Sequence, residues 1–287
     1  MLAYINWNPD SELCHLLGFP IRYYSLMWII GLLAAYLLVK KFYKDMKIDN
    51  DRFEPLFLYC FIGILVGARL GHCIFYEPEY YFSSLPNFIE MLLPVSFNPS
   101  FHLTGYRGLA SHGGTIGILL AILLYCRRYG VRPLTTLDLV CVATPLTACC
   151  IRLGNLMNSE IIGKPTGTDW GFVFVQLGED FPRHPSQLYE AVAYLLIFVI
   201  IMLIYHRNRR LVGTGFYLGL CLASIFLFRF FIEFSKEVQS PWEEELPLDM
   251  GQLLSIPFAI TGLWLVIRGW KFRSMEIKHV RSKTTKK

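Results

Sequence analysis

Residues 144–158 read TPLTACCIRLGNLMN. The stretch is apolar enough to enter a bilayer, yet Arg152 stands inside it. Two more stretches share this character: FIGILVGARLGHCIFY at 61–76 carries Arg69, and GLCLASIFLFRFFIEF at 219–234 carries Arg229. A guanidinium does not lose its proton in a protein, and placing one in hydrocarbon costs at least ~2.5–3.5 kcal/mol. Intramembrane arginines therefore face a bundle interior or a wet cavity and meet an anion there. Three of them point to an intramembrane site for a negatively charged ligand. The competing account is structural: each snorkels to an interface, or pairs with a helix carboxylate such as Glu233.

Composition supports the membrane setting. Of 287 residues 54% are hydrophobic and 17% charged, with mean hydropathy +0.42. A soluble domain is roughly 45–50% apolar and about 25% charged. The expected fold is an all-α membrane protein, one bundle spanning 1–287, because no linker or low-complexity segment divides the chain. No internal repeat is evident, which argues against an inverted-repeat transporter. The opening MLAYINWNPDSE lacks the basic start and apolar run of a cleaved signal peptide, so the first span is expected to act as the targeting signal. The eight cysteines are Cys14, Cys60, Cys73, Cys126, Cys141, Cys149, Cys150 and Cys221. None forms a C-x-x-C pair, and they read as small core residues, neither a disulfide framework nor a metal site. Redox or nucleophilic chemistry at Cys149–Cys150 is disfavoured because adjacent helical residues face different directions.

A span needs ~20 mainly apolar residues. Seven are predicted, at about 25–43, 55–76, 110–127, 137–153, 187–205, 213–232 and 252–268. The fourth is interrupted by Asp138, Pro145 and Arg152 and needs neighbours or water to satisfy its backbone. Charge sets the direction. Lys40, Lys41, Lys44, Lys47 and Arg52 follow the first span, Arg127, Arg128 and Arg132 the third, and Arg207, Arg209 and Arg210 the fifth. Eight more lie in the tail 269–287 and at Arg268. These are nineteen of the 27 Lys and Arg, so that side is expected to be cytoplasmic, with the amino terminus outside and the carboxyl terminus inside. The net charge of +5 then reflects topology and calls for no nucleic-acid partner. The basic cytoplasmic tail is expected to touch anionic headgroups. The segments 77–109 and 154–186 are too long for simple turns and read as outer arm or head segments over the bundle.

Five constellations can carry chemistry. Arg152-Leu153-Gly154-Asn155-Leu156-Met157-Asn158-Ser159-Glu160 leaves the fourth span, and Arg152, Asn155 and Glu160 share a face if the helix continues. Ser111-His112-Gly113-Gly114 opens the third span. An imidazole at a helix N-terminus is favoured neutral and suits a proton acceptor, although a lone histidine is more often structural. With no second histidine at ligand spacing, zinc is not expected. Arg183-His184-Pro185-Ser186-Gln187-Leu188-Tyr189-Glu190 resembles a helix start, so much of it reads as capping, with His184 and Glu190 left for polar contacts. Arg229 and Glu233 are four apart and can pair on one face. Arg22-Tyr23-Tyr24-Ser25 precedes the first span as an interface anchor.

Together these motifs resemble the prolipoprotein diacylglyceryl transferase family, from about Ile21 to Gln252. The most specific element is Arg152-Leu153-Gly154-Asn155 followed by Asn158, Glu160 and Gly163. Gly67-Ala68-Arg69-Leu70-Gly71, His112-Gly113-Gly114, the Arg183–Glu190 run and Arg229 with Glu233 match in order. The resemblance implies a seven-span enzyme of the bacterial inner membrane. It implies transfer of the diacylglyceryl group of phosphatidylglycerol to the lipobox cysteine of an exported prolipoprotein, with a thioether formed and glycerol phosphate released. On that reading Arg152 and Arg229 grip the phosphate and stabilise the leaving group. A thiol titrates at ~8.5 unperturbed and needs a base or a cationic field; His112 is the implied base. Asn155, Glu160 and Tyr24 position the headgroup or the arginines, Gly163, Glu233 and His184 complete the binding site, and Arg69 orders the site or binds lipid. No metal or soluble cofactor is implied.

The chain departs from the family pattern at Leu156, where Phe is frequent, at Cys149-Cys150-Ile151, where small glycines are common, at Ile225, where some members carry tyrosine, and at Tyr23-Tyr24-Ser25. The alternative from another class is a transporter or flippase for an anionic lipid or solute. An intramembrane protease lacks its G-x-S-x-G or paired aspartates.

Overall fold

The computed structural model describes residues 4–16, 19–93, 95–98, 100–103, 108–237 and 247–284. Parts of the 77–109 segment, Arg107 among them, and the last three residues of the basic tail lie outside these. Along the chain the helices are α1 (Tyr23–Asp45), α2 (Asn50–Phe75), α3 (Pro78–Tyr81), α4 (Leu85–Leu92), α5 (Ser111–Tyr129), α6 (Pro133–Met157), α7 (Ser186–Arg207), α8 (Phe216–Ile232) and α9 (Met250–Thr284). Six of the described helices, α1, α2, α6, α7, α8 and α9, are long and apolar enough to cross a membrane. Their exposed faces are apolar, as at Leu195, Leu196, Val199, Ile200 and Leu203 of α7. In lipid the backbone must satisfy its own polar groups, which is why such runs are helical and why α6 continues through Pro145. The third expected span is the helix α5, but it is not among those six. Ser111-His112-Gly113-Gly114-Thr115 at its start and Arg127-Arg128 at its end dilute its hydropathy.

The structure corrects the purely helical expectation. Among the described residues there are three two-stranded pairings: β1 (Ile5–Trp7) runs parallel to β6 (Phe172–Phe174), while β2 (Glu12–Leu16) with β3 (Phe19–Arg22) and β4 (Val95–Ser96) with β5 (His102–Leu103) are antiparallel. Runs of two to five residues carry too little alternation to announce a strand; pairing alone makes them.

Packing divides the chain into two units, residues 43–136 and residues 1–42 with 137–287. In the first, α2 lies directly on α5 through facing small residues. A Cβ added at Gly67 would stand 2.7 Å from the Cα of Gly117, and one at Gly71 the same distance from the Cα of Gly113. This is small-xxx-small packing on both helices, which lets backbones approach without side chains between them. The glycines of Gly67-Ala68-Arg69-Leu70-Gly71 and of His112-Gly113-Gly114 therefore serve helix contact. Gly117→Leu should lower the thermal midpoint of the detergent-solubilised protein, since overpacking costs typically 1–3 kcal/mol, roughly. An unchanged midpoint would contradict this contact.

In the second unit α8 packs on α7 and α9. Asp138 is fully buried on α6. Its Oδ2 accepts from the backbone amides of Gly213 (2.8 Å) and Gly215 (3.0 Å), and its Oδ1 from that of Leu218 (2.9 Å). The carboxylate thus caps the positive end of α8. Expected from sequence as an interruption, it is a tether between two helices. Asp138→Ala would orphan three backbone donors at the start of α8 and should destabilise by about 3 kcal/mol, with Asp138→Asn intermediate. Thermal unfolding of the two variants checks the order.

Candidate functional site

Arg152 and Asn155 lie three apart near the end of α6, so they share a face. Arg152 Nη1 donates to Asn155 Oδ1 at 3.2 Å, and Asn155 is buried. The helix does not continue to Glu160. It ends at Met157, and Ser159 and Ile161 take left-handed backbone (φ +54° and +56°). Glu160 leaves the face: its amide donates to Asn155 O at 3.0 Å, and its exposed carboxylate accepts from Asn158 Nδ2 at 2.5 Å.

Arg152 Nε lies 3.0 Å from Glu190 Oε2, an ion pair whose N–H is not aimed for a hydrogen bond. Glu190 sits in the first turns of α7 and is fully buried. Its Oε1 accepts from Tyr194 Oη at 3.1 Å and from Lys236 Nζ at 3.2 Å. Lys236 also reaches Glu233 Oε1 at 3.2 Å, and Arg229 Nε pairs with the same oxygen at 3.3 Å. The chain Arg152–Glu190–Lys236–Glu233–Arg229 is therefore continuous. It holds three cations and two carboxylates, one positive charge in surplus. Arg229 is the most open of the five, with its side chain 38% exposed, while that of Arg152 is 15% exposed. Such an arrangement is chemically able to take up an anion without a compensating proton.

The surrounding loops place these groups. Gly163 forms a β-bridge with Lys236, and Lys164 N donates to Ser235 O at 2.8 Å, which turns Lys236 inward. A side chain at Gly163 would collide with His184 O and Ser186 Oγ, each 2.5 Å from the added Cβ. Arg183 Nη1 donates to Gly163 O at 3.1 Å, and Arg183 also pairs with Glu179 and Glu237. The bond to Glu179 pushes the Arg183 guanidinium further above its ordinary range, burial opposes this, and Glu237 adds to the rise. Tyr24 packs on the turn after Arg152: a Cβ at Gly154 would lie 3.0 Å from its ring and 3.3 Å from its Cα. His184 Nδ1 is 3.3 Å from Tyr189 Oη, and the ring lines a cleft of about 510 Å3 with Trp170, Tyr189 and Phe234.

The capping expected of Ser186 and Gln187 is absent; α7 starts after Pro185 with no side-chain cap. Gln187 is drawn instead to Glu160 O at 2.6 Å, and Ser186 Oγ lies 3.4 Å from Ser235 O. The cysteines diverge as adjacency requires: Cys149 packs with Ala191 and Tyr194, with Ile225 against them, while Cys150 meets Gly31 of α1.

Arg69 and His112 belong to the other unit. Arg69 is buried, its Nη2 donating to Glu90 O at 2.8 Å and its Nε to Met91 O at 3.3 Å, with Tyr81 beneath the guanidinium at 5.0 Å. It clasps the end of α4. The Glu90 side chain is held by Tyr80 Oη, Ser96 Oγ and the amide of Phe97. Burial works against its ionisation, but these three bonds outweigh it and hold the carboxyl below its ordinary value. His112 is exposed in the first turn of α5.

Glu190 as hub and Lys236 as third cation escaped the sequence reading of the site. The usable signal was Lys236 three residues after Glu233, a spacing that closes one turn.

A polytopic helical membrane protein with a cluster of cations braced by buried carboxylates is the class these features define. Residues 11–268 match the family profile described as prolipoprotein diacylglyceryl transferase. Proteins named phosphatidylglycerol–prolipoprotein diacylglyceryl transferase are similar over nearly the whole chain. The one from Bacteroides fragilis is 52% identical over 96% of this chain and 99% of its own. Those from Porphyromonas gingivalis (44%; 94% and 96%) and Tolumonas auensis (39%; 91% and 96%) follow. The chain belongs to the prolipoprotein diacylglyceryl transferase family.

Proposed function

We propose that this chain moves the diacylglyceryl group of phosphatidylglycerol onto the lipobox cysteine of an exported prolipoprotein. The observation that carries the reading is the Arg152–Glu190–Lys236–Glu233–Arg229 chain, a surplus of fixed positive charge braced by buried carboxylates. The cysteine thiolate attacks the glyceryl carbon that bears the phosphate ester. A C–S bond forms, the C–O bond breaks, and its electron pair leaves on glycerol phosphate. Charge grows on that phosphate, and Arg152 and Arg229, with Lys236 behind them, stabilise it. His112 takes the thiol proton. Asn155 orients Arg152, Tyr24 and Glu160 border the headgroup, Gly163 and His184 shape the loop that carries Lys236, Glu233 orients Arg229, and Arg69 orders the arm at α4.

In the same reading α5 is the seventh span of a single bundle in the bacterial inner membrane. The asymmetry of Lys and Arg supports an outer amino terminus, a cytoplasmic basic tail and outer placement of 77–109 and 154–186. Incubating the purified protein with labelled phosphatidylglycerol and a lipobox peptide tests the proposal. Thioether product is expected. Movement of the lipid between leaflets without thioether would establish the transporter reading instead.

A further inference from the structure

Beside the charged chain stand three buried polar atoms without a hydrogen-bond partner among the described residues: Gln187 Oε1, Ser159 Oγ and Asn158 Oδ1. Gln187 is fully buried, and its Nε2 donates to Glu160 O at 2.6 Å. That bond fixes which end of the amide is the acceptor, because the reversed amide would set oxygen against oxygen. Asn158 is oriented likewise, with Nδ2 spent on the Glu160 carboxylate. Ser159 is buried in the left-handed turn between them. Gln187 lies three residues before Glu190 on α7, so its side chain shares the face that meets Arg152. Unpaired buried acceptors are rare, and a native chain that gathers several completes them with something else.

We infer that Gln187, Ser159 and Asn158 form the subsite for the hydroxyls of the donor lipid's headgroup and set its selectivity. The inference rests on the transferase reading. A glycerol headgroup carries two hydroxyl donors and no charge of its own beyond the phosphate. Its hydroxyls fit the amide oxygens of Gln187 and Asn158 and the hydroxyl of Ser159, while the phosphate lies toward the guanidiniums. An ethanolamine headgroup also donates, but it brings a cation toward Arg152, Arg229 and Lys236. A headgroup without hydroxyls leaves the buried acceptors unpaired, the arrangement by which binding sites reject deoxy analogues.

The test measures kcat/KM of the full-length protein with phosphatidylglycerol and with phosphatidylpropanol, whose headgroup has the same carbon count and no free hydroxyl. The native protein is expected to favour phosphatidylglycerol by about tenfold or more. Gln187→Met keeps length and removes the acceptor, and should bring the ratio toward unity; Ser159→Ala should move it the same way by less. Equal use of the two donors by the native protein overturns the inference alone. So does an unchanged ratio in both variants, which would mean that these oxygens hold structural water. If Gln187→Met does not fold, the native ratio and Ser159→Ala decide. No thioether from either donor would overturn the transferase reading, and this subsite with it.

Discussion

Arg152→Lys is expected to lower diacylglyceryl transfer steeply while the protein stays inserted and folded. Arg152 divides its donors: Nε faces Glu190 at 3.0 Å and Nη1 bonds Asn155 at 3.2 Å. A planar fork can hold those partners and still present an N–H edge to a phosphate. Lysine keeps the charge, so the buried Glu190 keeps a cation within reach and the fold should survive. It supplies one nitrogen where three act, and it cannot brace Asn155 and Glu190 while gripping two phosphate oxygens. Loss of a preorganised donor to developing charge typically costs ~10²–10³ in kcat. The expected result is a fall of about that size in thioether formation, with monodisperse protein in detergent and a thermal midpoint near that of the native chain. Turnover at the native rate would remove Arg152 from the role assigned.

Glu190→Ala is expected to be the most destabilising single change at the site. Glu190 is fully buried and touches Arg152, Lys236 and Tyr194. Its removal leaves the Lys236 ammonium, whose side chain is 4% exposed, with Glu233 alone, a carboxylate that Arg229 already uses. Breaking one partner out of a buried pair costs about 3–5 kcal/mol, chiefly through the charge left behind. The thermal midpoint should fall by several degrees and transfer should be lost. The decisive comparison is Glu190→Ala with Lys236→Met added. Removing the stranded cation should recover part of the stability but none of the activity. A double variant less stable than Glu190→Ala would show that burial of charge is not what Glu190 offsets.

Much of the site was legible along the chain. Arginines in apolar runs stand out because no bilayer span tolerates them without a reason, and the i, i+4 spacing of Arg229 and Glu233 foretold their pairing. Glu160 would share the face of Arg152 only if the helix ran past Met157, which propensity cannot judge; the left-handed turn at Ser159 and Ile161 diverts it. Gln187 read as a cap because Ser, Gln and Glu favour helix starts generally, whereas its amide is claimed by a carbonyl far away in the chain. Asp138 read as a defect in a span because its partners, the amides of Gly213, Gly215 and Leu218, are distant in sequence.

What the sequence determined by itself was the membrane setting, the helical class and the demand for an anion, since hydropathy and guanidinium charge inside apolar runs are properties of local composition. Only tertiary structure decided how that demand is framed. It made Glu190 the hub, turned Lys236 inward through the bridge at Gly163, and set the glycines of α2 against those of α5. These depend on side chains meeting across tens of residues, where the energy of a buried charge or a close backbone contact exists only once both partners are in place.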